Sequence, residues 1–377
     1  MCIVFWHVGR EDEPYSLIVA SNRDEFLARP TSSVAWHDWT TEAPAGEPTE
    51  QKRVLSGLDL TAGGTWFGVS LPPADRSKQA GAPILRFATL TNFTETLPPA
   101  ARPSRGDLTR NFLDLDSLAS SSTVPHSLEE YLASVEAVKQ QYAGFNLLVG
   151  EISLPSPPSS AAAASSPSVR LAYISNRESP TKHARILDPG TSASESESVR
   201  GLSNASLEVE EGEEEWPKVR SGALAVEAAL ERCLAENARD KDGEEKLADG
   251  LYEALSASHP SPILDRSHLR HTVLVRPLCL DPTAPLPTIP PPFPPAPPPS
   301  SSADAHDRSD PAILPPTVTD GKKEGEDGAH WYGTRVQTLL LVGRDGKVVL
   351  RERGGYTLRD GRPAWSGAER RFDFRIR

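Results

Sequence analysis

Residues 2–25, CIVFWHVGREDEPYSLIVASNRDE, decide the fold that this sequence predicts. Two short runs, 2–8 and 15–21, are rich in β-branched and aromatic residues, and a polar loop joins them. This pattern is typical of an antiparallel β-hairpin. Because the second strand of a hairpin returns to the start of the first, we expect the polar segment 21–25 to lie beside Cys2.

Cys2 is the first residue whose position suggests chemistry. Initiator Met1 is normally removed when the second residue is small, and its removal would leave Cys2 with a free α-amine. The ordinary pKa values of the amine and the thiol are about 8 and about 8.5, so both titrate close to neutral pH. One residue then supplies a nucleophile and a base. The alternative is a small apolar residue at the start of the first strand.

Arg23 and Asp24 are the charged residues that the hairpin predicts next to this thiol. A guanidinium there would stabilise the Cys2 thiolate or a substrate carboxylate, and a carboxylate would orient the α-amine. The alternative is a solvated turn with a local ion pair, which would contribute little to stability.

Downstream patterns predict more strands and a few helices, which together indicate an α+β protein with antiparallel sheets covered by helices. An Asp-Gly turn at 343–346 predicts a second hairpin, which is too small to be stable alone and should complete the main sheet. Strands are predicted at 64–70, 86–92, 145–152, 169–175, 272–276, 335–342 and 347–353. Helices are predicted at 128–142, where Ser127 and Glu130 form a capping-box pattern, at 218–237 and near 245–256.

The composition separates a folded part from low-complexity tracts. The chain has 377 residues, 36 prolines and a net charge of −12. Proline, serine and glutamate concentrate in 153–168, in 191–215 around the motif GLSNA, and in 281–329. Such tracts cannot bury enough apolar surface to fold, so we interpret them as disordered insertions in a single domain spanning 1–377.

The low-complexity tracts carry essentially all of the net negative charge of the chain. The remaining residues are therefore close to neutral. This balance argues against nucleic-acid binding. No apolar run approaches the ~18 residues of a transmembrane helix. The three cysteines do not form a disulfide framework, which favours a reducing, cytoplasmic location.

Side-chain amides and one arginine complete the candidate residues. Asn92, Asn176 and Asn204 follow strand-like runs, where an amide could stabilise an oxyanion, although turn formation explains most such asparagines. Arg335 begins a strand and is a candidate substrate anchor or an edge-strand charge. Trp66 follows a Gly-Gly turn and is a candidate for either substrate contact or the core. Pairs such as His268 and His271 lack a metal-binding pattern, so no metal site is predicted.

Taken in order, these pieces resemble the NRDE-motif family of Transport and Golgi organisation proteins. The resemblance extends from the first residue almost to the end of the chain and departs at Val336, where a small polar residue is expected. The matching segments are MCIVF (1–5), LIVASNRDEFLARPT (17–31), LSGLDLTAGGTWFGVS (55–70), LTNF (90–93), SRGDL (104–108), YAGFNLLVG (142–150), GLSNA (201–205), WPKV (216–219) and GTRVQTLLLV (333–342).

The resemblance implies an N-terminal-nucleophile-hydrolase-like αββα sandwich that acts on amide or thioester bonds. Cys2 would be the nucleophile, Arg23 and Asp24 would support it, and Arg335 would bind the substrate. Asn92 or Asn176 would stabilise the oxyanion.

The resemblance also implies roles in Golgi organisation, secretory transport, haem trafficking and lipid homeostasis, with Golgi or mitochondrial association. The alternative function for this chain is that of a non-enzymatic carrier of haem or acyl lipid. Haem would then be a ligand rather than a required cofactor. The expected partner is a small-molecule or lipid-like ligand. A weaker alternative is a scaffold whose prolines at 282–299 recruit a proline-recognition domain.

Overall fold

The computed structural model describes part of the chain, and the predicted low-complexity tracts lie mostly outside it. The described ranges are 2–39, 53–72, 83–93, 102–115, 127–153, 168–178, 182–187, 198–208, 215–235, 241–260, 266–280 and 331–376. The predicted insertions 153–168 and 281–329 fall outside these ranges, apart from the two serines that bound the first, and so does the proline segment 282–299. Of the insertion 191–215, residues 198–208 are described and contribute a strand to a sheet.

The described residues contain more strand than helix. The strands, in chain order, are β1 (Ile3–Val8), β2 (Tyr15–Phe26), β3 (Ala35–His37), β4 (Val54–Ser56), β5 (Phe67–Ser70), β6 (Pro83–Asn92), β7 (Phe145–Ser153), β8 (Ser168–Ser175), β9 (Arg185–Leu187), β10 (Arg200–Leu202), β11 (Leu278–Cys279), β12 (Trp331–Gly343), β13 (Lys347–Gly354), β14 (Tyr356–Arg359), β15 (Arg362–Trp365) and β16 (Glu369–Arg375). The α-helices are α1 (Gly106–Leu113), α2 (Leu128–Val138), α3 (Pro217–Ala235) and α4 (Lys241–Leu255). The predicted α+β class is confirmed.

The predicted hairpin forms the centre of the first sheet. Strands β1 and β2 are antiparallel, with Ile3 opposite Asn22 and Val8 opposite Leu17. The strand order is β10-β1-β2-β12-β13-β16, and β11 adds to β12. The second sheet has the order β3-β4-β5-β6-β7-β8-β9, in which every strand pairs antiparallel with its neighbours in the chain.

The late hairpin of β12 and β13 also forms as predicted, and β12 pairs with β2 along almost its whole length. Its turn needs a glycine, because Gly346 has a φ of +79°, a conformation that side-chain-bearing residues rarely adopt. The late hairpin therefore completes the first sheet.

The two sheets face each other across a shared core. Side chains alternate along β1 and β2, and one set packs against the second sheet. Members of this core from the first sheet are Val4, Trp6, Leu17, Val19 and Leu340; members from the second are Leu55, Val69, Phe87, Leu148 and Tyr173.

Helices cover the outer face of each sheet. The other face of β1 and β2 packs against α3 and α4, and the outer face of the second sheet packs against α1 and α2. The layers therefore run helix, sheet, sheet, helix. The approach of α3 to β1 requires a glycine, since a Cβ at Gly222 would lie 2.2 Å from Phe5 Cζ.

Local signals explain where the helices begin. The Ser127 hydroxyl accepts a hydrogen bond from the Glu130 N–H at 3.2 Å, so the predicted N-cap of α2 is confirmed. Pro217 is the first residue of α3, a position where its missing N–H has no intrahelical partner to lose. The predicted strand at 272–276 is wrong: the Val275 N–H donates to the Thr334 side chain at 2.9 Å instead of to a strand ladder.

Candidate functional site

The register of the first hairpin brings Cys2, Arg23 and Asp24 together. Because Ile3 pairs with Asn22, Cys2 lies at the end of β1 beside the next two residues of β2. The backbone N–H of Asp24 donates a hydrogen bond to the Cys2 sulfur. Cys2 is half-buried, and burial raises the pKa of its thiol; the Asp24 carboxylate acts in the same direction and the Arg23 guanidinium in the opposite one.

Asn22 fixes which way its neighbours on β2 point. Its side-chain amide donates to the carbonyls of Leu255 at 2.8 Å and Val273 at 3.0 Å, on the helix-covered side of the sheet. Side chains alternate along a strand, so Asp24 faces the helices as well, whereas Arg23 faces the second sheet. The thiol therefore has a carboxylate and a guanidinium on opposite faces of the strand beside it.

Arg23 is held by an aromatic ring. The centre of its guanidinium lies 3.6 Å from the centroid of the Trp66 ring, a cation–π contact. The Glu25 carboxylate lies 3.5 Å from Nη2, whereas Nη1 is buried without a hydrogen-bond partner among the described residues. Burial lowers the pKa of Arg23 even though Glu25 and Cys2 oppose that shift. Trp66 thus lies at the site through its contact with this arginine.

Asp24 is fixed by the late strand β12. The Thr334 hydroxyl donates to Asp24 Oδ1 at 2.6 Å, and the Tyr332 hydroxyl donates to the Asp24 backbone carbonyl at 3.1 Å. Burial raises the pKa of the Asp24 carboxyl, while the Lys218 ammonium, the Thr334 hydrogen bond and the Arg23 guanidinium act to lower it. The sequence analysis missed Thr334, although it belongs to the matched segment GTRVQTLLLV.

Arg335 lies in the same neighbourhood, at an irregularity in the pairing of β12 with β2. Its Nη1 donates to the backbone carbonyl of Arg29, and Arg29 in turn binds the Asp59 carboxylate at 2.7 Å. Burial and the nearby Arg23 guanidinium lower the pKa of Arg335 to about 10, against the Glu25 carboxylate. The structure therefore brings a third arginine to the end of the sandwich where Cys2 lies.

The segment after β10 links Cys2 to Asn92. The Ser203 hydroxyl donates to the Cys2 carbonyl at 2.8 Å, and it lies 3.1 Å from Asn204 Oδ1. The Asn204 amide donates to the backbone carbonyl of Asn92 at the end of β6. Asn92 is half-buried, and its side-chain amide takes no part in this hydrogen bond, which uses only its backbone carbonyl.

Asn176 does not join this group, because its side chain closes a loop. Its Oδ1 accepts from the Phe145 N–H at 3.0 Å. Its Nδ2 donates to the carbonyls of Lys139, Tyr142 and Ala143 at 2.9, 3.1 and 3.2 Å. Both ends of the amide are occupied, so turn formation explains this asparagine.

Lys218 is the second residue that the sequence analysis missed. It follows Pro217 in the first turn of α3, has 0% exposure, and lies with Nζ 5.4 Å from the centroid of the Trp216 ring. Burial lowers its pKa, while Asp24 and Cys2 act to raise it. The only sequence signal was the matched segment WPKV, whose lysine has no pattern that predicts burial.

The described residues contain no group of three or more histidine, cysteine, aspartate or glutamate side chains arranged to hold a metal ion. None of the helices there is both long and apolar enough to cross a membrane. A cavity of about 530 Å³ lies at the opposite end of β2, beside Glu13, Lys241 and Arg344, and includes none of the predicted site residues.

Comparison with known proteins gives one family and several relatives. The family model described as Transport and Golgi organisation 2 matches residues 1–357. The Transport and Golgi organization protein 2 homolog of Bos taurus is 30% identical over 284 residues, which cover 71% of this chain and 81% of that protein. The Homo sapiens homolog is 31% identical, with 62% and 66% covered. The Drosophila melanogaster protein is 28% identical, with 42% and 48% covered.

Proposed function

Since this chain belongs to the Transport and Golgi organisation 2 family, we propose that it is an N-terminal-nucleophile-hydrolase-like protein whose Cys2 attacks amide or thioester bonds. The observation that carries the proposal is the Cys2 sulfur next to the Asp24 N–H, with the Arg23 guanidinium acting on it. The helix–sheet–sheet–helix order of layers supports an αββα sandwich of this class, although a fold alone does not determine a reaction.

The raised pKa of the Cys2 thiol makes a base necessary. After removal of Met1, the α-amine of Cys2 would take the thiol proton as sulfur bonds to the substrate carbonyl carbon and the carbonyl electron pair moves to oxygen. Collapse of this intermediate would break the bond to the leaving amine or thiol, which would take the proton from the α-ammonium. Water would then hydrolyse the acyl-thioester by the same proton route.

The neighbouring side chains have separate tasks in this scheme. Asp24, held by Thr334, would orient the α-amine through its carboxylate. Arg23, held over Trp66, would stabilise the developing thiolate. Arg335 would contact the substrate at the mouth of the site.

Asn92 is the asparagine that we propose for the oxyanion. An oxyanion donor has to be fixed before charge develops. The Asn92 backbone is fixed by the hydrogen bond from Asn204, whereas its own amide is not committed to that contact. Asn176, the other candidate, already uses both ends of its amide within its own loop.

Mass spectrometry of the intact protein tests the proposal. We expect a mature chain that lacks Met1 and that gains one acyl group on Cys2 when it is mixed with a short-chain acyl thioester. Cys2→Ser should not form the acyl-thioester, and Cys279→Ser, which removes another half-buried thiol, should form it normally. A retained Met1, or acylation that survives in Cys2→Ser, would contradict the proposal.

The cellular role is a second part of the proposal. The relatives are named for transport and Golgi organization, and we extend that role to this chain. A tagged full-length chain should co-fractionate with Golgi membranes, and release by high salt would indicate a peripheral, charge-dependent attachment. Recovery in fractions free of Golgi markers at low salt would count against it.

A further inference from the structure

One sheet edge is built differently from the other three. The outer strands β10, β3 and β9 are each three residues long, whereas β16, at the remaining edge of the first sheet, has seven residues. Short edge strands, prolines and bulges limit pairing with other chains. Strand β16 contains no proline, and its pairing with β13 has no register shift. Its charged side chains are the remaining safeguard, and their order decides which partner they exclude.

The hydrogen bonds at the two ends of β16 show which backbone groups face outward. The Ala368 carbonyl accepts from the Gly354 N–H at 2.8 Å. The Ile376 N–H donates to the Gly346 carbonyl at 2.9 Å. Because backbone groups alternate sides along a strand, even-numbered residues of β16 bond to β13 and odd-numbered residues point their N–H and C=O groups away from it. No strand in the described part of the chain pairs with these outward groups.

The two faces of β16 differ in chemistry. The odd-numbered side chains are all charged and lie on the side of α4, where Arg371 contacts Glu244 at 2.5 Å. The even-numbered Phe372 and Phe374 are half-buried against the core shared by the two sheets. The Phe374 ring meets Trp36 of β3, with ring centroids 5.2 Å apart. Aromatic surface therefore remains partly exposed at this edge of the sandwich.

Antiparallel pairing of β16 with a second copy of itself has one register that suits its charges. With the two-fold axis at Phe372, Arg371 lies opposite Asp373 of the second copy, and Glu369 lies opposite its Arg375. Every outward N–H and C=O group of the odd-numbered residues then has a partner. Moving the axis by one residue would place Arg371 opposite itself or Asp373 opposite itself, and like charges directly opposite are destabilising.

These charges are already used within one chain. Arg371 pairs with Asp373 of its own strand at 2.7 Å, and Arg375 pairs with Asp345 at 3.0 Å. Ion pairs between exposed groups contribute little to stability. The charges across the axis would therefore select the register, while the backbone ladder and the phenylalanines would supply the affinity.

We propose that β16 is a homodimer interface, in which two copies of this chain pair antiparallel about Phe372 and join their first sheets into one. The Phe372 rings would meet on the axis, and Arg370 would lie opposite Phe374 of the second copy on the same face. A second copy fits because the order of charges is complementary to itself. Cys2 lies beside β1, with β2, β12 and β13 between β1 and β16, so both Cys2 sites would stay outside the interface.

Cysteine cross-linking tests the register in a Cys2→Ser, Cys279→Ser background. Phe372→Cys would place two Cα atoms about 4.5 Å apart on the axis, within the range of a disulfide. Arg370→Cys and Phe374→Cys would each lie about 14 Å from the same residue of the second copy, but they would lie opposite each other. We expect mild oxidation to cross-link Phe372→Cys, and a mixture of the other two, at least about tenfold faster than either of those two alone.

A matched pair of substitutions tests the use of the outward backbone. Asp373→Pro removes an N–H that points away from β13, which the fold should tolerate at an edge strand. Asp373→Ala removes the same carboxylate and keeps the N–H. We expect ultracentrifugation to show a monomer–dimer equilibrium whose dissociation constant rises at least about tenfold in Asp373→Pro, equivalent to ~1.4 kcal/mol, and less than about threefold in Asp373→Ala.

Three results would overturn the proposal. They are an unsubstituted protein that stays monomeric up to about 100 μM, cross-linking of Arg370→Cys alone as fast as that of Phe372→Cys, and dimerisation of folded Asp373→Pro as tight as that of Asp373→Ala. If Asp373→Pro fails to fold, the cross-linking rates decide the question alone. The interface is measured without Cys2, so loss of Cys2 acylation would contradict only the hydrolase, and a monomer that is still acylated would contradict only the dimer.

Discussion

Replacing Asn176 tests whether this asparagine has a structural role, in contrast to the oxyanion role proposed for Asn92. Its amide connects the Phe145 N–H to the carbonyls of Lys139, Tyr142 and Ala143 over distances of 2.9 to 3.2 Å. Asn176→Ala removes every one of these contacts and adds no replacement. The loop after α2 would lose its side-chain link to the end of β8, while the hydrogen bond from the Phe93 N–H to the Gly144 carbonyl remains.

The size of the effect follows from the buried groups left behind. A buried polar group without a partner costs about 1–3 kcal/mol. Phe145 is fully buried. Its N–H and the Ala143 carbonyl would lose the Asn176 contact, whereas the Lys139 and Tyr142 carbonyls also accept from the Tyr142 N–H and the Arg102 guanidinium, respectively. We expect Asn176→Ala to lower the free energy of unfolding by about 2–4 kcal/mol and Tm by about 4–8 °C.

Urea and thermal unfolding, followed by circular dichroism, measure this loss, and the rate of Cys2 acylation is measured on the folded variant. Asn92→Ala is the matched control: it should change the unfolding free energy by less than about 1 kcal/mol and slow acylation about 10²–10³-fold. If Asn176→Ala unfolded like the parent protein but lost acylation by a hundredfold, the structural assignment of Asn176 would be refuted.

Three further predictions use other parts of the molecule. Arg23→Gln removes a cation that lowers the pKa of the Cys2 thiol, and Asp24→Asn removes an anion that raises it. The pH midpoint of Cys2 alkylation by iodoacetamide should therefore rise in Arg23→Gln and fall in Asp24→Asn. Shifts of both midpoints in the same direction would contradict the geometry. Gly222→Ala places a methyl group against Phe5 and should lower the free energy of unfolding in urea by about 1–3 kcal/mol. An unchanged urea midpoint would show that α3 shifts to accommodate the methyl group. The carrier alternative predicts a haem absorbance band that changes in Cys2→Ala, and a titration without any band in the unsubstituted protein would count against it.

The parts of the fold that the sequence predicts are those with strong local signals. The first hairpin has two runs rich in β-branched and aromatic residues around a polar loop, and the late hairpin has an Asp-Gly turn; both form with the predicted pairing. The N-cap at Ser127 is equally local. Strand pairing then follows from chain geometry, which is why Arg23 and Asp24 could be expected beside Cys2.

Other features depend on contacts between distant segments, which no local pattern encodes. Strand β10 lies within a low-complexity tract and is stabilised by pairing with β1. Residues 272–276 have the composition of a strand, but a threonine side chain satisfies the Val275 N–H instead. Lys218 becomes buried only after α3 has packed, and the hydrogen bond from Thr334 to Asp24 forms only after β12 has paired with β2.

The pairing of β2 with β12 also sets when the site comes into existence. Asp24 and Thr334 are 310 residues apart in the chain, yet one hydrogen bond joins them. At a typical synthesis rate of about 5–20 residues per second, about 15–60 s separate the emergence of the two ends from the ribosome. Throughout translation Asp24 would lack the strand that holds its carboxylate, and a chain terminated before residue 331 would never acquire that strand. The hydrogen bond that fixes Asp24 therefore depends on a strand from the opposite end of the described chain.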